Sequence, residues 1–159
     1  MRGISIAAFQ AAVQFAGVEA LHPFVYSGFH ALKAMSPRPA APFDAKRQGL
    51  SMGEGAAVLV LSKPVPRALG WIDGFGQASD AHDQTAPHPD GEGLLRACNV
   101  ELKSADLTAK GLGRYHAHGT ATVLNDAMEM AALPLLLGDR TSSVPVHAIK
   151  PVLGHTLGA

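Results

Sequence analysis

At 159 residues, with 47% hydrophobic and 16% charged side chains, the chain can bury one sizeable core and is too apolar to be disordered. Zero net charge and the absence of any Lys/Arg run leave no electrostatic footprint for nucleic acid. No run of about 18 apolar residues exists to span a membrane; the apolar run Ile4–Phe9 is soon broken by Gln10 and Gln14, with no convincing signal-cleavage region after it, and the single cysteine, Cys98, cannot close an internal disulfide, so a cytoplasmic protein is expected.

Residues 4–12 are Ala-rich and mildly amphipathic, which predicts a helix. Val13–Val18 reads as a short buried strand ended by Gly17; one continuous helix over 4–20 is the alternative, because short apolar runs are ambiguous. Apolar residues at 26, 29, 32 and 35 predict a helix from Tyr26 to Met35, closed by the prolines at 37, 39 and 42. Next comes Pro42-Phe43-Asp44-Ala45-Lys46-Arg47-Gln48-Gly49, and then Gly53-Glu54-Gly55 ahead of the apolar run Val58–Leu61. That run predicts a buried strand. The Gly-Glu-Gly turn reads as a structural loop, since no helix follows to make it a phosphate cradle.

Ser62–Leu69, with Pro64 and Pro66, is a connector. Gly70–Ser79 is a strand weakened by three glycines, which predicts a bulge or a close backbone contact. The loop 80–91 holds two histidines and three aspartates, but its prolines and irregular spacing make a poor preformed metal cage. Glu92–Leu102 places apolar residues at 94, 95, 98 and 102 on one helical face. Cys98 lies on that face, mid-helix and without a cationic neighbour in sequence, so it reads as a buried structural thiol. A polar connector fills 104–113; Asn125 and Asp126 then cap and charge a helix running to Leu137, which Gly138 closes, and Val144–Ile149 is the last strand. Alternating strands and helices indicate α/β layers.

Two stretches carry chemistry: Tyr115-His116-Ala117-His118-Gly119-Thr120-Ala121-Thr122, followed by Asn125, Asp126 and Glu129, and Ala148-Ile149-Lys150-Pro151-Val152-Leu153-Gly154-His155-Thr156-Leu157-Gly158-Ala159. Each reads as a strand running into a glycine-punctuated loop with a histidine. Together they resemble the two histidine loops of the β-ketoacyl-acyl carrier protein synthases, condensing enzymes of the thiolase superfamily. Pro42–Ala56 resembles a third block of that family, Pro-Phe-Asp-x-x-Arg-x-Gly-x-x-x-Gly-Glu-Gly-Ala.

The resemblance implies a partial thiolase-like α/β fold, with layers of helices and mixed β-sheet: residues 1–69 the end of the first half and 70–159 the start of the second. It implies an acyltransferase that joins an acyl thioester to malonyl-acyl carrier protein by decarboxylative Claisen condensation, in fatty acid or polyketide synthesis. His118 and His155 would donate hydrogen bonds to the enolate oxygen, and Lys150 would organise the site by its charge. Glu129 would partner Lys150. Thr120 and Thr122 would hold the phosphopantetheine arm of acyl carrier protein, so no cofactor of the enzyme's own and no metal is implied. The partners implied are acyl carrier protein and a second copy or a related subunit, with neither nucleic acid nor membrane. The family's nucleophilic cysteine maps upstream of Met1, which makes the chain look like an internal fragment that is inactive alone.

Two other readings compete. One is a non-catalytic partner subunit of the chain-length-factor type, although both histidines and the lysine are retained here. The other is a metal hydrolase built on His116-Ala117-His118, because residues i and i+2 share one face of a strand.

Overall fold

In the computed structural model, residues 4–6, 13–63 and 66–159 are described. Four strands form the larger sheet in the order β2-β3-β1-β4, where β1 is Ile4–Ile6, β2 Val13–Glu19, β3 Gly55–Ser62 and β4 Gly70–Ile72. Its pairings are antiparallel, and β2 runs against β3 from Val13↔Leu61 to Glu19↔Gly55. Two shorter strands, β5 (Tyr115–His116) and β6 (Val146–His147), pair in parallel. The helices are α1 (Pro23–Ala31), α2 (Glu92–Ser104), α3 (Val123–Leu137) and the single turn α4 (Lys150–Leu153). The mixed α/β architecture expected from the sequence is present.

Several elements differ from the local reading. Ile4–Ile6 is a strand, inserted between β3 and β4, because pairing on both edges outweighs the helix propensity of an Ala-rich stretch. The remainder of that expected helix, 7–12, lies outside the described residues. The continuous helix over 4–20 does not form, and Gly17 sits inside β2, paired with Ala57, instead of ending it. Helix α1 starts earlier than expected, at Pro23, whose missing N–H costs nothing in the first turn; His22 Nδ1 accepts from Phe24 N–H at 3.2 Å. It also stops earlier, because Lys33 turns left-handed (φ 54°) and Met35 bridges to Leu50.

The strands expected to be buried are not covered on both faces: Val18, Val58 and Leu59 are exposed. Continuous apolar runs signal strands covered by layers on both sides, and no described element covers these side chains. The core lies elsewhere, where Leu133, Leu137 and Val144 pack with Leu112, Tyr115 and Leu136.

Of the expected strand 70–79, only 70–72 pairs; the following segment lies along α2. A Cβ on Gly76 would strike the Ala97 carbonyl and the Glu101 amide of that helix, and Ser104 Oγ accepts from Phe75 N–H at 2.8 Å. This is the close backbone contact that the glycines imply. On α2, Leu94, Leu95, Cys98 and Leu102 are half-buried, as their spacing predicts, and Ala97 joins them. Helix α3 begins at Val123 with Thr122 as its cap residue, so Asn125 and Asp126 belong to its first turn. The final strand is short because Ile149 already turns helical to start α4, which makes Lys150 a helical residue and not a strand end.

Gly76→Ala is expected to destabilise the chain by roughly 1–3 kcal/mol, because backbone cannot yield as a side-chain tip can. Urea unfolding followed by circular dichroism measures this. An unchanged midpoint would mean that the segment is not packed on α2.

Candidate active site

The site is assembled from three segments far apart in sequence. Beyond β5 the chain turns through Gly119 (φ 49°) and Ala121 (φ 64°), the latter a conformation few non-glycine residues adopt. Two buried carboxylates from α3 hold this turn. Glu129, 1% exposed, accepts from His118 N–H at 2.7 Å and Gly119 N–H at 2.8 Å, and also from Asn125 Nδ2 at 3.0 Å. Asp126, also 1% exposed, accepts from Ala121 N–H at 3.1 Å and from Phe43 N–H at 2.7 Å. Thus one carboxylate pins the left-handed residues 43 and 121 together. Arg47 Nε lies 3.7 Å from Asp126, and its Nη2 donates to the Val123 carbonyl at 2.9 Å.

The second histidine loop is held by the glycine block. Gly53 N–H donates to the His155 carbonyl at 3.0 Å, and His155 N–H donates to the Ser51 carbonyl at 2.7 Å. A Cβ on Gly53 would collide with the backbone of Leu153 and Gly154. Gly49, four residues earlier, donates to the Ala121 carbonyl at 3.0 Å. Gly49 and Gly53 therefore bring the two histidine loops against one shared segment.

The result is convergence. The rings of His118 and His155 meet edge to face, with centroids 5.4 Å apart. Lys150 Nζ donates to the His118 carbonyl at 2.6 Å and lies 3.5 Å from His118 Nδ1. His155 Nδ1 accepts from Leu157 N–H at 3.1 Å, which leaves the neutral ring its proton on Nε2. Burial, then the Lys150 charge, then His118 push His155 down to about 4. Burial and Lys150 lower His118 as well, and burial lowers Lys150. The arrangement favours two neutral imidazoles beside one ammonium.

Two expected contacts take another form. Glu129 makes no ion pair with Lys150 among the described residues; both its oxygens are used on amides of the histidine turn. Thr120 is buried, with its Oγ1 2.9 Å from that of the half-buried Thr122. Arg47 and Tyr115, whose hydroxyl donates to Glu129 at 3.4 Å, support the site without having been singled out from the sequence. For Arg47 the available signal was its place in the Pro42–Arg47 block. The His116-Ala117-His118 pair is split: His116 Nδ1 lies 3.3 Å from His147 Nδ1, while the His118 ring meets His155. Among the described residues no group of three or more His, Cys, Asp or Glu could hold a metal ion, and no helix is long and apolar enough to cross a membrane. Cys98 lines a cavity of about 510 Å³ shared with Tyr115 and His116; burial and the nearby Glu101 and Glu129 raise its thiol, which disfavours the thiolate.

Paired histidine loops joined to a lysine thus stand together on an α/β scaffold, and sequence comparison shows the family. Residues 69–159 match the β-ketoacyl synthase C-terminal domain and residues 5–64 the β-ketoacyl synthase N-terminal domain. The chain belongs to the β-ketoacyl synthase family, within the thiolase superfamily. It is 40% identical over 146 residues to 3-oxoacyl-acyl-carrier-protein synthase 2 of Rhizobium meliloti (strain 1021), covering 84% of this chain and 34% of that protein. A chain of the solved complex between the ketosynthase ApeO and its chain length factor ApeC from Xenorhabdus doucetiae is similar at 37% identity and a TM-score of 0.83, over 93% of this chain and 36% of that one. AntDE:AntF, a type II PKS acyl-carrier protein in complex with its ketosynthase, is similar at 26% identity and a TM-score of 0.86, over 92% of this chain and 40% of that one. The chain spans about a third of the length of the curated relatives it matches.

Two outcomes test this geometry. Glu129→Gln should cost roughly 2–3 kcal/mol despite its equal size, because an amide keeps one acceptor and turns a donor toward the second N–H; equilibrium unfolding measures it. His155 should remain neutral at pH 6, with a midpoint near 4 in a ring-nitrogen NMR titration. The unfolded state takes this proton first, near its ordinary 6.5. The contribution of His155 to stability is therefore intact above 6.5 and lost as pH falls through about 4. A midpoint at or above 6.5 would contradict the site as described.

Proposed function

We propose that this chain supplies the decarboxylation half of a 3-oxoacyl-acyl-carrier-protein synthase, an acyltransferase of fatty acid or polyketide synthesis. The observation that carries the reading is the 5.4 Å approach of His118 and His155, with each Nδ1 engaged and each Nε2 left to donate. When a malonyl thioester loses CO2, negative charge develops on the thioester oxygen, and two neutral donors aimed at it stabilise that charge. Neutrality matters, since a neutral imidazole N–H donates a hydrogen bond without giving up its proton, whereas an imidazolium would protonate the enolate. Lys150 acts through the field that holds both rings neutral and through its bond to the His118 carbonyl. Thr122, half-buried beside Thr120, is assigned to the pantetheine arm, so the substrate arrives on a carrier and no cofactor of the enzyme's own is needed.

Acyl carrier protein is the proposed substrate donor, and a second synthase copy or a chain length factor the proposed partner; the AntDE:AntF and ApeO assemblies support this by similarity. A boundary near 69/70 between the two synthase halves is supported by the connector there and by the two family matches, which end at residue 64 and begin at residue 69. A cytoplasmic setting fits a carrier-dependent enzyme of this kind.

In a full-length relative, alanine at the position of His155 should reduce malonyl-carrier decarboxylation by about 100-fold or more, the scale of losing one oxyanion donor. Acylation of the nucleophile, measured with radiolabelled acyl-carrier protein, should be nearly unchanged, because that step develops no enolate. Normal decarboxylation in the variant would remove His155 from the mechanism. The chain by itself, whose one thiol is the half-buried Cys98, should form no β-ketoacyl product from acyl- and malonyl-carrier protein. Turnover above blank would make Cys98 the nucleophile.

A further inference from the structure

The split of the His116-Ala117-His118 motif leaves one histidine outside the condensing site. His116 on β5 and His147 on β6 are register partners in the parallel pair, so their side chains rise from neighbouring strands side by side. Both are exposed. Their Nδ1 atoms face each other at 3.3 Å, with ring centroids 5.1 Å apart and planes tilted by 52°. Without an ion, this contact is a hydrogen bond in which one Nδ1 donates and the other accepts, as the tautomers dictate.

The same spacing suits a metal. Two nitrogens about 2.0–2.1 Å from a tetrahedral zinc ion lie about 3.3–3.4 Å apart. The other histidine pairs do not offer this. His118 has Lys150 Nζ 3.5 Å from its Nδ1, a charge that repels a cation, and His155 Nδ1 is taken by Leu157 N–H. His82 and His88 stack edge to face, but His88 Nδ1 already accepts from Asp90 N–H. Only His116 and His147 turn two ring nitrogens toward one another with no backbone N–H competing for either, among the described residues.

We propose that His116 and His147 form a two-histidine clip for a divalent transition-metal ion, Zn2+ by geometry. On binding, the ring that donates moves its proton to Nε2, and both Nδ1 lone pairs go to the ion. No third His, Cys, Asp or Glu joins them among the described residues, so water fills the remaining positions and the ion exchanges readily. The clip ties β5 to β6. His118 lies two residues beyond one arm and Lys150 three beyond the other, so an ion here braces the two strands that deliver the condensing residues.

Zn2+ titration of the chain by calorimetry at pH 7.5 should give one site, and nitrogen-15 ring spectra should move at His116 and His147 Nδ1. His116→Asn and His147→Asn should each weaken binding by at least the roughly tenfold that loss of even an outer partner costs a metal site. Cu2+ in place of Zn2+ on the unsubstituted chain should show two coupled imidazole nitrogens by electron paramagnetic resonance, a readout that needs no folded variant. No Zn2+ uptake by the unsubstituted chain overturns the proposal, as does a single coupled nitrogen. So does binding that survives both substitutions, or ring shifts confined to His118 and His155.

Discussion

Everything in the site depends on buried carboxylates receiving backbone N–H groups. The turn from β5 into α3 leaves the amides of His118, Gly119 and Ala121 without partners in any sheet or helix, and a buried unpaired amide costs about 1–3 kcal/mol. Glu129 and Asp126, in the first turns of α3, lie where those amides converge. Because the carboxylates sit three residues apart on one helix, their spacing is rigid, and the histidine turn inherits that rigidity. Asp126 extends the constraint to Phe43, so the left-handed conformations at 43 and 121 are held by one side chain. Strain of this kind persists where the surroundings over-determine it, and such positions cluster at functional sites.

The second constraint is steric. His155 reaches His118 because backbone passes backbone at Gly53 and Gly154, and Gly154 itself takes φ 76°. A side chain at either place would push the two loops apart. Gly53 of the Gly53-Glu54-Gly55 motif has its physical explanation in this crossing, while a side chain on Gly55 would meet only ordinary contact. Glycine there serves close approach between loops, and no anion need be invoked.

Electrostatics follow from placement. One ammonium lies beside two imidazoles, His118 on the exposed side and His155 half-buried, and both are pushed toward neutrality by desolvation and by Lys150. Glu129 opposes these shifts at His118 and Lys150, yet its oxygens are committed to amides. The site thus keeps a positive field while its hydrogen-bond donors stay uncharged, the combination on which the proposed decarboxylation rests.

Much of this was legible in the sequence. Helix α2 and its half-buried face follow from the spacing of Leu94, Leu95, Cys98 and Leu102, and the closing Gly138 of α3 follows from local chain chemistry. The two histidine loops and the glycine block stand out as motifs because their residue types are constrained by backbone conformation and polar chemistry, which act over a few residues. Other features needed the tertiary structure. Ile4–Ile6 is a strand only because β3 and β4 flank it, and Val58 and Leu59 are exposed because the sequence reports apolarity, not which layer covers it. Glu129 suits an ion pair with Lys150 by type, but the three-dimensional path of the turn puts two amides within its reach first. His116 looked like the partner of His118 because they are two residues apart; the parallel register of β5 and β6 set it against His147. Pairing between distant segments depends on loop closure and packing across the whole chain, and no local pattern of residues encodes it.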